Sequence, residues 1–359
     1  MAETFDIELL NCSKRYGDIN ILDDVSIKIK TGEFITVLGP SGCGKTTTLR
    51  VIGGFIIPDS GRVSIRGREV TTLPPYRRNI GVVFQNYALW PHMTVFENLA
   101  FGLRIRKLPR EEIARRVDRA LEMVQLTGLN DRYPRQLSGG QQQRVAMARA
   151  LAIDPEVIIL DEPLSNLDRR LREELRIELK GLQRSLGVTM LFVTHDQEEA
   201  LSMSDQVVVM KSGRIQQIAD PRTVYERPAN SFVAGFLGSA NFLPGSVAEN
   251  RPAGKGVIKL ANGALVSATM PGTIETGSNV KLVVRPEWML IDRSGTAAGN
   301  QLQATVSETI YEGSVVRYGL KLDHDPSSLV FLQERSSGDT FNPGDKVTVD
   351  VISAVVTTE

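Results

Sequence analysis

The sequence predicts an α/β protein with a mainly parallel core sheet and a helical insert, followed by a small all-β barrel. Three observations predict it. Residues 34–38, 157–160 and 190–193 are unbroken or nearly unbroken apolar runs, the pattern of strands buried on both faces. Helical patterns lie between them, so that strand, loop and helix alternate. From Val247 onward, short Val-, Ile- and Thr-rich runs alternate with Gly, Pro, Asn and Asp turns, as in a small barrel or sandwich.

The 359 residues suffice for two or three domains. Lys plus Arg and Asp plus Glu each number 42, so the formal charge is zero and gives no global case for binding nucleic acid or an anionic membrane. Cys12 and Cys43 are the only cysteines, which predicts a reducing compartment and no structural disulfide. Residues 1–6 carry acids and no apolar core, so no secretory signal is expected there. No apolar run approaches the roughly 18 residues of a membrane span. If the chain works at a membrane, other chains supply the spans.

Residues 7–10 and 21–29 read as strands, the second alternating over its latter part. Tyr16 lies in the expected loop between them and reads either as a packing residue or as an aromatic for stacking on a base. Strand 34–38 leads into Gly39-Pro40-Ser41-Gly42-Cys43-Gly44-Lys45-Thr46, which satisfies G-x-x-x-x-G-K-[ST], and a helix is expected to begin near Lys45. Glycines at 39, 42 and 44 permit the turns that aim successive N–H groups at phosphate oxygens, at the positive end of the helix. Lys45 is expected to reach the β- and γ-phosphates, and the Thr46 hydroxyl to hold Mg²⁺. A nucleoside triphosphate site follows.

Helix 47–52 is expected to end at Gly53-Gly54, before a turn at 58–61 and a short strand at 63–65. Strand 79–85 ends in the amide Gln85, ahead of an aromatic-rich loop at 86–92. Ile113, Val117, Ala120, Leu121 and Val124 recur at helical spacing, with Gly128 as the expected stop. Ser138 is suited to cap a helix running through Val145, Ala148 and Leu151, giving a second anion-binding helix terminus after Gly139 and Gly140. Strand 157–160 runs into Asp161 and Glu162, at the end where open α/β sheets bind ligands. Asp161 is positioned for the outer shell of a magnesium ion and Glu162 to polarise a water. Leu171, Leu175, Leu179, Leu182 and Leu186 form a core stripe closed by Gly187. His195 ends the strand that follows, favouring a γ-phosphate contact.

In this order, these residues resemble the ATP-binding subunit of a bacterial ABC importer carrying a C-terminal OB-like (TOBE) barrel. The matching elements are the phosphate loop, Gln85 as the Q-loop, Leu137-Ser138-Gly139-Gly140-Gln141 as the signature, Asp161-Glu162, Ser165-Asn166-Leu167-Asp168 as the D-loop, and His195 as the switch histidine. Arg285-Pro286-Glu287 and Tyr311-Glu312-Gly313-Ser314 are similar to the accessory domain. Asn166 stands where the family more often has alanine.

The resemblance implies a P-loop NTPase cassette over 1–235, with a helical subdomain at about 87–155, and an accessory β-domain over 236–359. It implies a homodimer in which each ATP lies between the phosphate loop of one copy and Ser138, Gly139, Gly140 and Gln141 of the other. Tyr16 stacks on adenine, and Thr47 and Asp168 join the nucleotide site. Glu162, His195, Lys45 and Gln85 are the implied catalytic group, with Thr46, Gln85 and Asp161 around Mg²⁺. Two permease subunits and a solute-binding protein are the implied partners, at the cytoplasmic face of the inner membrane, with Tyr87, Trp90 and Met93 near the docking groove.

Residues 236–243 are similar to polyamine and ferric-iron importers more than to sugar importers, although sugar or glycerol-phosphate import stays open. A different class, a soluble ABC ATPase whose β-domain binds a regulatory ligand, also stays open. DNA or ribosome-acting relatives would carry a long coiled coil or a second cassette, and neither pattern is present. A bulky thiol reagent at Cys43 is expected to block nucleotide binding.

Overall fold

The computed structural model describes residues 4–292, 300–323, 325–335 and 340–357. The chain divides into two compact units, Met1–Pro221 and Arg222–Glu359.

The first unit contains β1 (Phe5–Tyr16), β2 (Ile19–Lys30), β3 (Phe34–Leu38), α1 (Lys45–Gly53), β4 (Ser60–Ile65), β5 (Arg68–Glu69), β6 (Ile80–Val83), α2 (Val95–Ile105), α3 (Arg110–Met123), α4 (Gly139–Ala152), β7 (Val157–Asp161), α5 (Arg169–Leu186), β8 (Thr189–Thr194), α6 (Gln197–Met203), β9 (Gln206–Lys211) and β10 (Arg214–Ala219). The central sheet has the order β10-β9-β3-β8-β7-β6. All of its pairings are parallel except that of edge strand β10 with β9. Every residue of β3 and β8 is buried, so their apolar runs are what a doubly covered strand requires.

One face of this sheet, with α1, packs on an antiparallel sheet of order β2-β1-β4-β5 through Ile7, Leu9, Ile27, Val63 and their neighbours. The other face packs on α2 to α5 through Leu99, Val117, Val145 and Leu179. Parallel pairing aligns the strand ends: Leu38 is level with Thr194, and Asp161 with Val193. Whatever follows β3, β7 and β8 therefore meets at one edge.

Local boundaries differ from expectation in ways the backbone explains. Helix α3 stops at Met123, well before Gly128, because Gln125 takes the left-handed turn with φ 58°. Its N–H and that of Leu126 then close on the carbonyls of Glu122 and Leu121. Helix α5 ends as expected, with Gly187 at φ 61°. β1 is far longer than residues 7–10, since bulges break its alternation at several points along the pairing with β2.

The second unit opens with α7 (Pro221–Glu226), whose first residue closes the first unit, and α8 (Ser231–Phe236). Among the described residues ten strands follow: β11 (Asn241–Arg251), β12 (Lys255–Leu260), β13 (Leu265–Thr269), β14 (Asn279–Val284), β15 (Met289–Asp292), β16 (Gln301–Tyr311), β17 (Val315–Leu322), β18 (Asp325–Arg335), β19 (Lys346–Val351) and β20 (Val355–Thr357). β11-β12-β13-β20-β14 close into a barrel, and a second sheet of order β15-β19-β16-β17-β18 shares its core, with Leu282, Tyr318 and Val349 in one cluster. The all-β region is thus a barrel joined by a sheet.

Composition changes near residue 235, yet α7 and α8 already belong to this unit. Arg285, fully buried, donates to the carbonyls of Tyr225 (2.8 Å), Leu237 (2.6 Å) and Ser239 (3.4 Å), and its guanidinium lies 3.5 Å from the Tyr225 ring centre. Among the described residues no helix is long and apolar enough to cross a membrane.

Candidate functional site

The turn between β3 and α1 is built to wrap a small anion. Gly44 caps α1 in the left-handed region at φ 109°, and a Cβ on Gly39 would lie 2.4 Å from the Met210 carbonyl oxygen, so glycine is required at both. The buried Lys45 donates through Nζ to the carbonyls of Gly39 (2.8 Å) and Pro40 (3.1 Å), drawing the loop around its ammonium. Helix α1 begins at Lys45, directly after the loop, which suits an anion at a helix terminus.

Cys43, within the same loop, is buried. It is 3% exposed and packs within the core formed with Val208 and Met210. Burial pushes its thiol pKa up, partly offset by Lys45. A thiol reagent therefore meets a shielded sulfur, so the expected block of nucleotide binding by a bulky reagent at Cys43 requires the loop to open first.

Parallel register brings β7 and β8 to the loop. Thr46 Oγ1 donates to Asp161 Oδ1 at 3.4 Å, and burial together with the adjacent Glu162 raises the Asp161 pKa. Glu162 sits at φ 45°, an uncommon conformation for a non-glycine residue, held by its N–H on the Val193 carbonyl. That turn directs Oε2 to within 3.1 Å of His195 Nδ1. Ser165 donates to the Glu162 carbonyl at 2.9 Å and accepts from Gln85 Nε2 at 3.3 Å. Gln85, Ser165, Glu162 and His195 thus form one connected series beside Thr46 and Asp161.

Among the described residues there is no cluster of three or more His, Cys, Asp or Glu suited to a metal ion. A hydroxyl and a carboxylate 3.4 Å apart fit a hard cation that takes its other ligands from phosphate and water, as magnesium does. Gln85 adds a carboxamide oxygen, although its amide is engaged with Ser165.

Three other groups lie elsewhere. Ser138 caps α4 by accepting from the Gln141 N–H at 3.3 Å, while Gln141 Oε1 accepts from the Ser138 N–H at 3.0 Å. Among the described residues neither side chain bonds to the phosphate loop of the same chain, and both Ser138 and Gly139 are exposed. Asp168 caps α5 through the Leu171 N–H at 3.0 Å. Tyr16 is the last residue of β1, paired with Ile19 across a two-residue turn rather than carried on a longer loop. Its ring is 52% exposed and available for stacking.

Tyr87 needs a correction. It is 7% exposed and packs into the core beside Val83 and Leu99, so it does not line an outer groove; Trp90 and Met93 are half-buried. Tyr87 and Ala88 both adopt positive φ, at 61° and 47°, which turns the ring inward. Arg149 of α4 holds the turn by donating to the carbonyls of Tyr87 (2.8 Å) and Ala88 (2.6 Å) and lies 4.9 Å from the Trp90 ring centre. Burial pushes its pKa down to about 10. Nothing in the spacing of Arg149 announces this role. Ser165 was legible only as a neighbour of Asp168 in its motif.

A model described as ABC transporter matches residues 22–165, and one described as TOBE domain matches 282–356. The chain is similar to the spermidine/putrescine import ATP-binding protein PotA of Rubrobacter xylanophilus, at 48% identity over 96% of this chain and 90% of that protein. It is similar to the protein of the same name from Oleidesulfovibrio alaskensis, at 45% identity over 97% and 96%. Among solved structures, cbiO1 of Clostridium perfringens, part of an ABC transporter complex, superposes with TM-score 0.58 at 34% identity, covering 62% of this chain and 91% of that one. A dimeric bacterial ABC transporter cassette, MJ0796, superposes with TM-score 0.54 at 37% identity, covering 60% and 99%. The chain belongs to the ABC transporter family, as an ATP-hydrolysing cassette of the import branch that carries a TOBE domain.

Proposed function

We propose that two copies of this chain form the motor of a polyamine importer, docked on two permease subunits at the cytoplasmic face of the inner membrane and served by a solute-binding protein. Likeness to spermidine/putrescine import proteins over nearly the whole chain supports the cargo. Head-to-tail pairing is supported by the signature turn: Ser138 and Gly139 present an exposed helix terminus that, among the described residues, makes no side-chain bond to the phosphate loop of its own chain.

The observation that carries the chemistry is the 3.1 Å contact of Glu162 with His195 at the strand ends beside the phosphate loop. Glu162 orients a water and accepts its proton as the water oxygen attacks the γ-phosphorus. The bond from that phosphorus to the β,γ-bridging oxygen breaks, leaving ADP and inorganic phosphate. Lys45, the loop N–H groups and His195 oppose the charge that builds on the phosphoryl oxygens, as does the partner's signature turn. Thr46 and Asp161, with Gln85, are the residues that would hold magnesium, which supplies charge neutralisation when bound. Tyr16 stacks on the adenine.

The test is ATP turnover against protein concentration with Mg²⁺, repeated after adding the organism's own permease pair in proteoliposomes with spermidine-loaded binding protein. Turnover rising faster than linearly, and rising again with the loaded system, is the expected result. Strict proportionality and indifference to the membranes would leave a solitary ATPase. Stimulation only by a binding protein loaded with sugar would reassign the cargo.

A further inference from the structure

The D-loop position occupied by asparagine is tied to the Q-loop on the other side of the site. Asn166 is exposed, and its Nδ2 donates to the Gln85 main-chain carbonyl at 3.0 Å. The same two segments meet a second time where Gln85 Nε2 donates to Ser165 Oγ at 3.3 Å. Ser165 Oγ then donates to the carbonyl of Glu162 at 2.9 Å. Gln85 is therefore held at backbone and side chain by consecutive residues, one of which also holds the residue that orients water.

The segment is braced on its far side as well. Arg172 donates to the Leu167 carbonyl at 3.1 Å and to Asp196 Oδ2 at 3.4 Å, directly after His195. Displacing the end of β6 must therefore pull on Ser165 and Asn166, and through them on Glu162. An alanine at 166 would leave only the side-chain contact of Gln85.

We propose that Asn166 is a positioning residue that passes the state of the permease-facing Q-loop to Glu162, through its bond to the Gln85 carbonyl. The inference rests on the importer reading, since it needs a permease signal to pass. Its discriminating property is donation. Aspartate has the shape of asparagine but, ionised, cannot donate to a carbonyl, while glutamine keeps the donor.

The experiment compares wild type, Asn166→Asp and Asn166→Gln with the permease pair in proteoliposomes and spermidine-loaded binding protein, reading kcat and KM for ATP. Asn166→Asp should lower the stimulated kcat about fivefold, the worth of one ordinary hydrogen bond, with KM for ATP unchanged. Asn166→Gln should restore most of the loss. Full stimulation of Asn166→Asp, or equal losses in both variants, would overturn the inference while leaving the importer reading intact. A wild-type chain that the membranes do not stimulate would remove the importer reading itself, and this inference with it.

Discussion

Glu162 Oε2 lies 3.1 Å from Nδ1 of His195, although the two residues are 33 positions apart and end different strands. The parallel register of β7 with β8, level at Asp161 and Val193, makes this contact, and the left-handed turn at Glu162 aims the carboxylate. Glu162→Gln keeps the shape and removes the base. Turnover should fall by about 10²- to 10⁴-fold with nucleotide affinity retained. Single-turnover hydrolysis beside equilibrium ATP binding measures both. Normal turnover in the variant would exclude Glu162 as the base.

Ser138 is exposed, and its structural duty is a helix cap, worth about 1 kcal/mol. Ser138→Arg should therefore fold with a slightly lower melting temperature. It should nevertheless lose ATP-driven dimerisation and cooperative hydrolysis, because the added bulk and length occupy the turn offered to the partner's nucleotide. Sedimentation with ATP under the Glu162→Gln background separates the two effects. A dimer that persists would count against the shared site.

Both thiols are buried and free, and burial raises the pKa of each. In the native protein, N-ethylmaleimide at neutral pH should label Cys12 and Cys43 at least about tenfold more slowly than in urea, where both react. Mass spectrometry over a time course reads this directly. Fast labelling of Cys43 in the folded chain would mean that the loop opens far more readily than its packing indicates.

Tyr225 supplies a pH test in the second unit. Burial, and then the hydrogen bond its hydroxyl donates to Glu287, push its pKa up to about 12, above an ordinary value near 10. A phenol whose pKa is raised by folding contributes stability that is complete below about pH 10 and lost as the pH climbs through about 12. Denaturant melts of the wild-type chain should weaken across that window, and those of Tyr225→Phe should weaken less. Equal slopes would show that burial and Glu287 do not hold the protonated phenol.

The cassette was largely legible in the sequence because its chemistry sits in short contiguous motifs, each next to a strand whose apolar run is unmistakable. Asp161 ends a buried strand and Lys45, Glu162 and His195 follow such strands, and parallel pairing leaves the strand ends nowhere else to go. Side-chain direction in loops was not legible. Tyr87 looked like a surface aromatic because nothing in its neighbours reveals a pair of left-handed residues. In the β-domain, β13 pairs with β20 across 86 residues, at Thr269 and Val355, and no local periodicity reports such a closure. Helices α7 and α8 are six residues each, too short for a helical repeat to stand out.

Arg149 lies on α4, and Ser138 caps that same helix. One grips the Tyr87–Ala88 turn by its carbonyls, and the other stands at the N-terminal tip of α4. At 1.5 Å per residue, the two are separated by a rod of about 16 Å. An α-helix that is packed along its length barely stretches, so a push on the turn arrives at the tip as a tilt or a slide, with little lost on the way. A displacement of the Tyr87–Ala88 turn is thus carried along α4 to the exposed Ser138 at its far end.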